Sequence, residues 1–197
     1  MTTDTPGRRE RKKAATRQAI ADAALNLFLE HGYDAVSVKD VAEAADVSVT
    51  TVFKHFSGKE ALVFDLDQEM EAGFVTAVQV RRGGQSVLDA LYEHVLSLSQ
   101  AFAAHPQRKG FVALIDSTPV LRAYAECMWT RHTETLGVAL AKELGEDPHD
   151  LSCRAAARLI LDIPALSRDA TDSQAVVDAV FALLREGWAA GSARGPA

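Results

Sequence analysis

A chain of 197 residues, 48% hydrophobic and 24% charged, has ample sequence to bury a core and no apolar run long enough to span a bilayer. Its two cysteines, Cys127 and Cys153, lack metal-ligand spacing and are too few to staple a chain of this size, so they read as helix-packing residues. The net charge of −6 argues against nucleic acid only until it is divided: residues 1–58 hold eight Lys and Arg against eight Asp and Glu, whereas residues 59–197 hold thirteen against nineteen.

The N-terminal stretch MTTDTPGRRERKKAATRQ is basic: over residues 8–18, Arg8, Arg9, Arg11, Lys12, Lys13 and Arg17 stand against a single Glu10. Such a cluster can neutralise phosphates even in an acidic protein. A charged amphipathic segment follows it, not the apolar core of an export signal, which points to the cytoplasm. Apolar spacing is helical nearly throughout, so the expected fold class is all-α, with about nine helices. The first runs from about Lys12 to Glu30, carries Ile20, Ala24, Leu27 and Phe28 on one face, and ends at Gly32. Ser37 caps a short helix whose Val38, Val41, Ala42 and Ala45 form an inward stripe. Asp46 and Val47 make a tight connection, and Ser48 caps the next helix, Val49 to about Phe56. Two short helices joined by such a turn are a helix-turn-helix.

Ser57 followed by Glu60 has capping-box spacing and predicts a long helix through Leu66, Met70, Phe74 and Ala77 to near Val80. That helix is expected to be the continuous rigid element shared by the N-terminal unit and the rest of the chain. Next come a helix carrying Leu88, Leu91, Val95, Leu98 and Phe102 and a short one over 107–115. Pro119 then opens a long helix to about Leu144. The last two segments cover 151–166 and 174–190. Val176, Val177, Val180, Phe181, Leu183, Leu184 and Trp188 make the final one apolar on more than one face, so a second subunit is the expected cover. A four-helix dimer interface is placed around Leu159, Ile163, Val177, Phe181, Leu184 and Trp188.

In a helix-turn-helix the second helix lies in the major groove, with its N-terminal residues at base edges. Here these are Val49, Thr50 and Thr51: Thr offers a hydroxyl and a methyl, Val a methyl surface for thymine. Lys54, His55 and Lys59 are placed to meet phosphates, and the helix starts at Ser37 and Ser57 can aim backbone N–H groups at the same strand. Lys39, Ser48 and Arg17 complete the candidate surface, whereas Val52 and Phe56 are expected to point into the core. Beyond residue 58, Phe74, Val78, Leu91, His94, Val95, Leu98, Phe111, Tyr124, Met128 and Trp129 are candidates to line an apolar cavity with polar handles, or to form plain core. No His pair has the spacing of a zinc site, and no cofactor or metal is implied. Asp116 reads as a surface residue at a helix boundary. Asp162 leaves three readings open: a ligand-cation anchor, a pair across a dimer, or a group facing water. A helical enzyme lacks any nucleophile or phosphate-loop motif, its best pair being Cys127 with His132, five residues apart.

The stretch SVKDVAEAADVSVTTVFKHFSGKEAL, with AIADAALNLFLEHGYDAVSV before it, resembles the DNA-binding domain of the tetracycline-repressor-like (TetR) family of bacterial transcription regulators. The resemblance implies a homodimer that binds a palindromic operator, usually as a repressor, and releases it when a small hydrophobic molecule enters the larger helical domain. It divides the chain into an arm and DNA-binding domain over 1–58 and a ligand-binding and dimerisation domain over 59–197. By resemblance Ser37, Lys39, Thr50, Thr51, His55 and Lys59 occupy positions used on DNA. Two residues depart from the family: Asp46 stands where Gly is common, and Phe53 stands where a Tyr hydroxyl often touches phosphate. The stretch IDSTPVLRAY is similar to the mycofactocin-type regulators, in which acyl-CoA-like effectors occur. An activator, or a regulator without a small ligand, remains the alternative.

Overall fold

The helical segments expected from apolar spacing all form, and two of them are interrupted. The computed structural model describes residues 7–168, 170 and 172–192, with side chains through 187; among these there are eleven helices and no strand. In chain order they are α1 (Arg8–His31), α2 (Val38–Ala44), α3 (Val49–His55), α4 (Glu60–Val63), α5 (Asp67–Gln79) and α6 (Val87–Ala104). There follow α7 (Arg108–Ser117), α8 (Pro119–Leu144), α9 (Leu151–Leu161), α10 (Ile163–Leu166) and α11 (Ser173–Ser192). No described helix is long and apolar enough to cross a membrane. Among the described residues two compact units result, one from residues 7–67 and 109–124, the other from residues 68–108 and the described residues from 125 onward.

In the first unit Ile20, Ala24 and Phe28 of α1 meet Val41 and Ala42 of α2, Val52 of α3, and Phe56 and Leu62, all nearly inaccessible to solvent. The same core takes Leu114 and Ile115 from α7 and Leu121 from α8. Gly110 of α7 lies so near α1 that an added Cβ would stand 3.0 Å from the Leu29 side chain. α2 begins with a full capping box. The Ser37 hydroxyl accepts from the Asp40 N–H at 3.2 Å and the Asp40 carboxylate accepts from the Ser37 N–H at 2.8 Å. Ser48 caps α3 by accepting from the Thr51 N–H at 3.1 Å.

The turn between α2 and α3 places Asp46 at φ +52°, the left-handed region where a Cβ is ordinarily unfavourable, while the Val47 N–H closes back on the Ala42 carbonyl. Asp is among the few non-glycine residues that visit this region readily. We therefore expect Asp46→Gly to leave the thermal midpoint unchanged or to raise it, by up to about 1 kcal/mol of stability, and Asp46→Val to lower stability by about 1–2 kcal/mol. A valine variant that melts with the parent would show that the turn relaxes out of this conformation.

The run expected as one helix from Ser57 to Val80 is broken. Ser57 does not cap it: α4 starts after Lys59 with no side-chain cap, lasts one turn, and ends at Phe64, whose φ of −105° and ψ of 50° leave the helical region. Three contacts within the first unit hold this break. Phe64 stacks on Tyr124, with ring centroids 5.2 Å apart, and meets the edge of Phe111 at 6.2 Å. The Asp65 carbonyl, in the chain between α4 and α5, accepts from the Arg17 guanidinium. No single helix therefore runs from residue 57 to residue 80.

The second unit has a core of Phe74 and Val78 from α5, Leu88, Leu91 and Val95 from α6, Leu136 and Leu140 from α8, Ala157 and Ile160 from α9, Ile163 of α10 and Val177, Phe181 and Leu184 of α11. Ser86 caps α6 through the Asp89 N–H. The Tyr92 ring of α6 meets the edge of Phe181 at 5.5 Å, and its hydroxyl donates to Asp178 at 2.7 Å. The expected helix over 151–166 splits into α9 and α10 at Asp162, because Pro164 offers no N–H to the Ile160 carbonyl. Asp162 pairs with Arg158 one turn earlier at 3.0 Å on a largely exposed face.

Candidate nucleic-acid interface

α3 buries one side and presents the other. Val52 is inaccessible and Phe56, just beyond the helix, is nearly so, as their spacing predicted; Val49, Thr50, Phe53 and Lys54 are exposed, with the Phe53 ring 55% accessible. Thr50 at the start of this helix is exposed, with its side chain available to a base edge. Thr51 is half-buried and its hydroxyl is shared with the Ser48 hydroxyl at 2.8 Å. That bond aligns the helix start and leaves Thr50 and Val49 as the more accessible pair.

The expected phosphate contacts divide into two groups. Lys39 and Lys54 are exposed, and Ser37 sits exposed at the start of α2. Lys59 instead turns inward. Its ammonium donates to the Tyr33 carbonyl and lies 4.0 Å from the centre of the Tyr33 ring and 5.6 Å from that of Phe28, and burial lowers its pKa. Tyr33 in turn donates to Glu60 at 2.9 Å, and burial together with that carboxylate raises the phenol's pKa. Arg17 is likewise engaged: it donates to the His55 carbonyl at 2.6 Å and to Asp65, with its guanidinium 4.4 Å from the Phe56 ring centre. Cations held by carbonyls and ring faces are poorly placed to grip a phosphate. Both residues tie the ends of α3 and α4 to the rest of the unit. His55 has its pKa lowered by burial and by the fields of Lys13 and Arg17, so near neutral pH it offers a hydrogen bond more than a charge.

The expected effector residues do not fall in one unit. Phe111 and Tyr124 pack on Phe64 in the first unit. Phe74, Val78, Leu91 and Val95 are shut within the core of the second, with Trp129 packed against it. Met128 is buried and Leu98 is 36% exposed. His94 meets the edge of the Phe74 ring at 5.1 Å; burial lowers its pKa, and its buried Nε2 has no hydrogen-bond partner. A Cβ at Gly73 would lie 3.0 Å from the His94 ring, so glycine there admits the imidazole. A shallow depression of about 450 Å³ on α8, lined by Glu126, Cys127, Thr130, Arg131 and Glu134, contains none of the ten.

The expected dimer seam also changes. Ile163, Val177, Phe181 and Leu184 are buried within the second unit's own core, where no partner copy can cover them. Leu159 is 44% exposed, and the side chain of Trp188 lies outside the described residues. Leu166 and Leu183, neither of them placed in the expected seam, are 55% and 66% exposed. Periodicity contained the signal: Val177, Val180, Phe181 and Leu184 fall at i, i+3, i+4 and i+7, one complete stripe, with Leu183 outside it. Cys127 is exposed and His132 buried against Trp129, on parts of one helix that do not face each other.

Comparison with known proteins agrees with this geometry. The family model described as bacterial regulatory proteins, tetR family, matches residues 20–66, from the buried Ile20 through the break after α4. The regulator TcmR of Streptomyces glaucescens is 37% identical over 86 residues, 44% of this chain and 38% of its own length, so the chain matches well under half of that relative. MftR of Mycobacterium tuberculosis, whose name links it with mycofactocin biosynthesis, is 26% identical over 157 residues, 78% of each chain. Among solved structures, a SmeT–triclosan complex superposes with a TM-score of 0.60 over 86% of this chain and 91% of its own, at 17% identity, which speaks to the fold alone. Residues 20–66 thus match the segment described as bacterial regulatory proteins, tetR family, and the relatives that share it are named as transcriptional regulators.

Proposed function

We propose that this chain is a ligand-responsive repressor that binds a palindromic operator as a homodimer in the cytoplasm and is released by a small hydrophobic effector. The observation that carries the DNA-reading part is the two-sided character of α3: Val52 closed into the core, with Val49, Thr50 and Lys54 outward. One such helix reaches one half-site. Reading both halves of a palindrome on one face of the duplex takes two copies with their reading helices about 34 Å apart. For the contact between copies, the exposed Leu151, Leu159, Leu166 and Leu183 are large apolar side chains available among the described residues of α9 to α11.

Thr50→Ala is expected to relax preference at one operator position, losing about 1–3 kcal/mol of discrimination there with little change on random duplex. Equal losses on selected and random duplexes would remove Thr50 from base reading. For the effector, the second unit supplies an apolar core with one polar handle, the unpartnered His94 Nε2. SmeT, which shares the fold, is recorded with triclosan. Trp129 packs on that core, so its fluorescence screens candidates, acyl thioesters first. Coupling between effector and operator runs through α8, which is continuous from residue 119 to 144 and contributes to both units.

A further inference from the structure

The reading helix α3 is seven residues long, and beyond its last residue, His55, the backbone at Phe56 leaves the helical region at φ −132° and ψ 135°. A helix of about two turns is not stable by itself, and its last carbonyls have no partner within the helix. The final one, on His55, accepts from the Arg17 guanidinium at 2.6 Å, with the same cation 4.4 Å from the Phe56 ring centre. A positive group at that end also meets the negative pole of the helix. The other terminal nitrogen of Arg17 donates to the Asp65 carbonyl. Asp65 lies in the short turn between α4 and α5, and α5 begins at Asp67. The guanidinium is planar and its donors stand in a fixed fork, so one rigid group sets the end of α3 against the chain that enters α5. The covalent path between those two points is a looser link. It runs through Phe56, the one-turn α4 and Phe64, and the backbone leaves the helical region at both phenylalanines. Each departure is a place where the chain can pivot, and the Arg17 fork spans both.

We propose that Arg17 is a positioning residue for operator reading: by holding the His55 and Asp65 carbonyls together it fixes α3 relative to the start of α5, and so fixes the separation at which two copies present their reading helices. The inference rests on the reading of this chain as a dimer on a palindrome. It assigns Arg17 to the spacing between half-sites, not to the bases or phosphates of one of them. Changing the spacer by one base pair moves a half-site by about 3.4 Å along the duplex and about 35° around it. A rigid pair of reading helices rejects that change, and a loosened pair accepts it. The test uses the full-length chain, a duplex selected by that chain from a randomised pool, the same duplex with its spacer one base pair longer or shorter, and one half-site alone. Anisotropy gives affinities across a salt series for the parent, Arg17→Gln and Arg17→Lys, below their thermal midpoints. Arg17→Gln is expected to keep the parent's half-site affinity and salt slope, while its preference for the selected spacer falls by about tenfold, a coupling of ordinary size between linked sites. Arg17→Lys keeps a cation at the end of α3 but replaces the fork by one flexible nitrogen. It should melt closer to the parent and still lose spacer preference, so it carries the same comparison where Arg17→Gln does not fold. Variants with the parental spacer preference overturn the inference. A salt slope flatter by about 0.9 makes Arg17 a phosphate contact and overturns it as well. A selected duplex without two half-sites, or a parent indifferent to their spacing, overturns the palindrome reading itself, a result distinct from both.

Discussion

Leu184→Glu is expected to unfold the second unit, not to separate two copies of the chain. Leu184 is 7% exposed and shares a core with Phe181, Val177 and Ile163. A carboxylate there loses its water without gaining a partner, and the leucine's packing is lost with it. Together these cost at least about 3 kcal/mol, a large fraction of the roughly 5–15 kcal/mol that holds a domain folded. The next-door change is the control: Leu183 is 66% exposed, and Leu183→Glu should alter the stability of the monomer fold by less than about 0.5 kcal/mol. It changes only what that outer face meets. Denaturant unfolding with light scattering separates the two: Leu184→Glu loses its cooperative transition, while Leu183→Glu keeps its monomer stability and shifts toward monomer where that face pairs. A Leu184→Glu protein that unfolds like the parent yet runs as a monomer would return the seam to the buried stripe.

The second large effect lies far from the helix-turn-helix in sequence. Leu121 begins α8, outside the family-matched segment 20–66, yet it is completely buried in the core of the first unit with Leu114, Ile115 and the helices that hold α3. Leu121→Ala is expected to cost about 2–5 kcal/mol and to weaken binding to every duplex together, because the loss falls on the scaffold and not on a base contact. Leu98→Ala, at a position 36% exposed, serves as the control and should lose little. Thermal unfolding with duplex titration reads both. Undiminished stability after Leu121→Ala would mean that residues 109–124 contribute little to the first unit.

The readings that held were carried by short-range rules. Ser37 with Asp40, Ser48 with Thr51, and the tolerated Asp46 turn each rest on a few neighbouring residues, and the alternation of Val52 and Phe56 with Thr50 and Phe53 already separates the inner from the outer face of α3. The split of the 151–166 helix is local too, since the N–H that Pro164 lacks is a property of that residue alone. The break at Phe64 has no such local cause. It depends on Tyr124, 60 positions downstream, and on Arg17, 48 positions before Asp65, and neither spacing leaves a periodic mark.

Composition and periodicity by themselves determined that this chain is all-helical, that a helix-turn-helix lies near its start, and which residues form its inward stripes. Those properties follow from backbone hydrogen bonding and a 3.6-residue repeat, both local. Only tertiary structure decided that Lys59 and Arg17 face carbonyls and rings, that Val177, Phe181 and Leu184 are enclosed by their own chain, and that residues 109–124 complete the first core. A lysine or an apolar stripe has the same pattern whether it meets a partner molecule or a distant part of its own chain. What it meets is settled by long-range packing, where the favourable burial is shared among segments that sequence spacing does not connect.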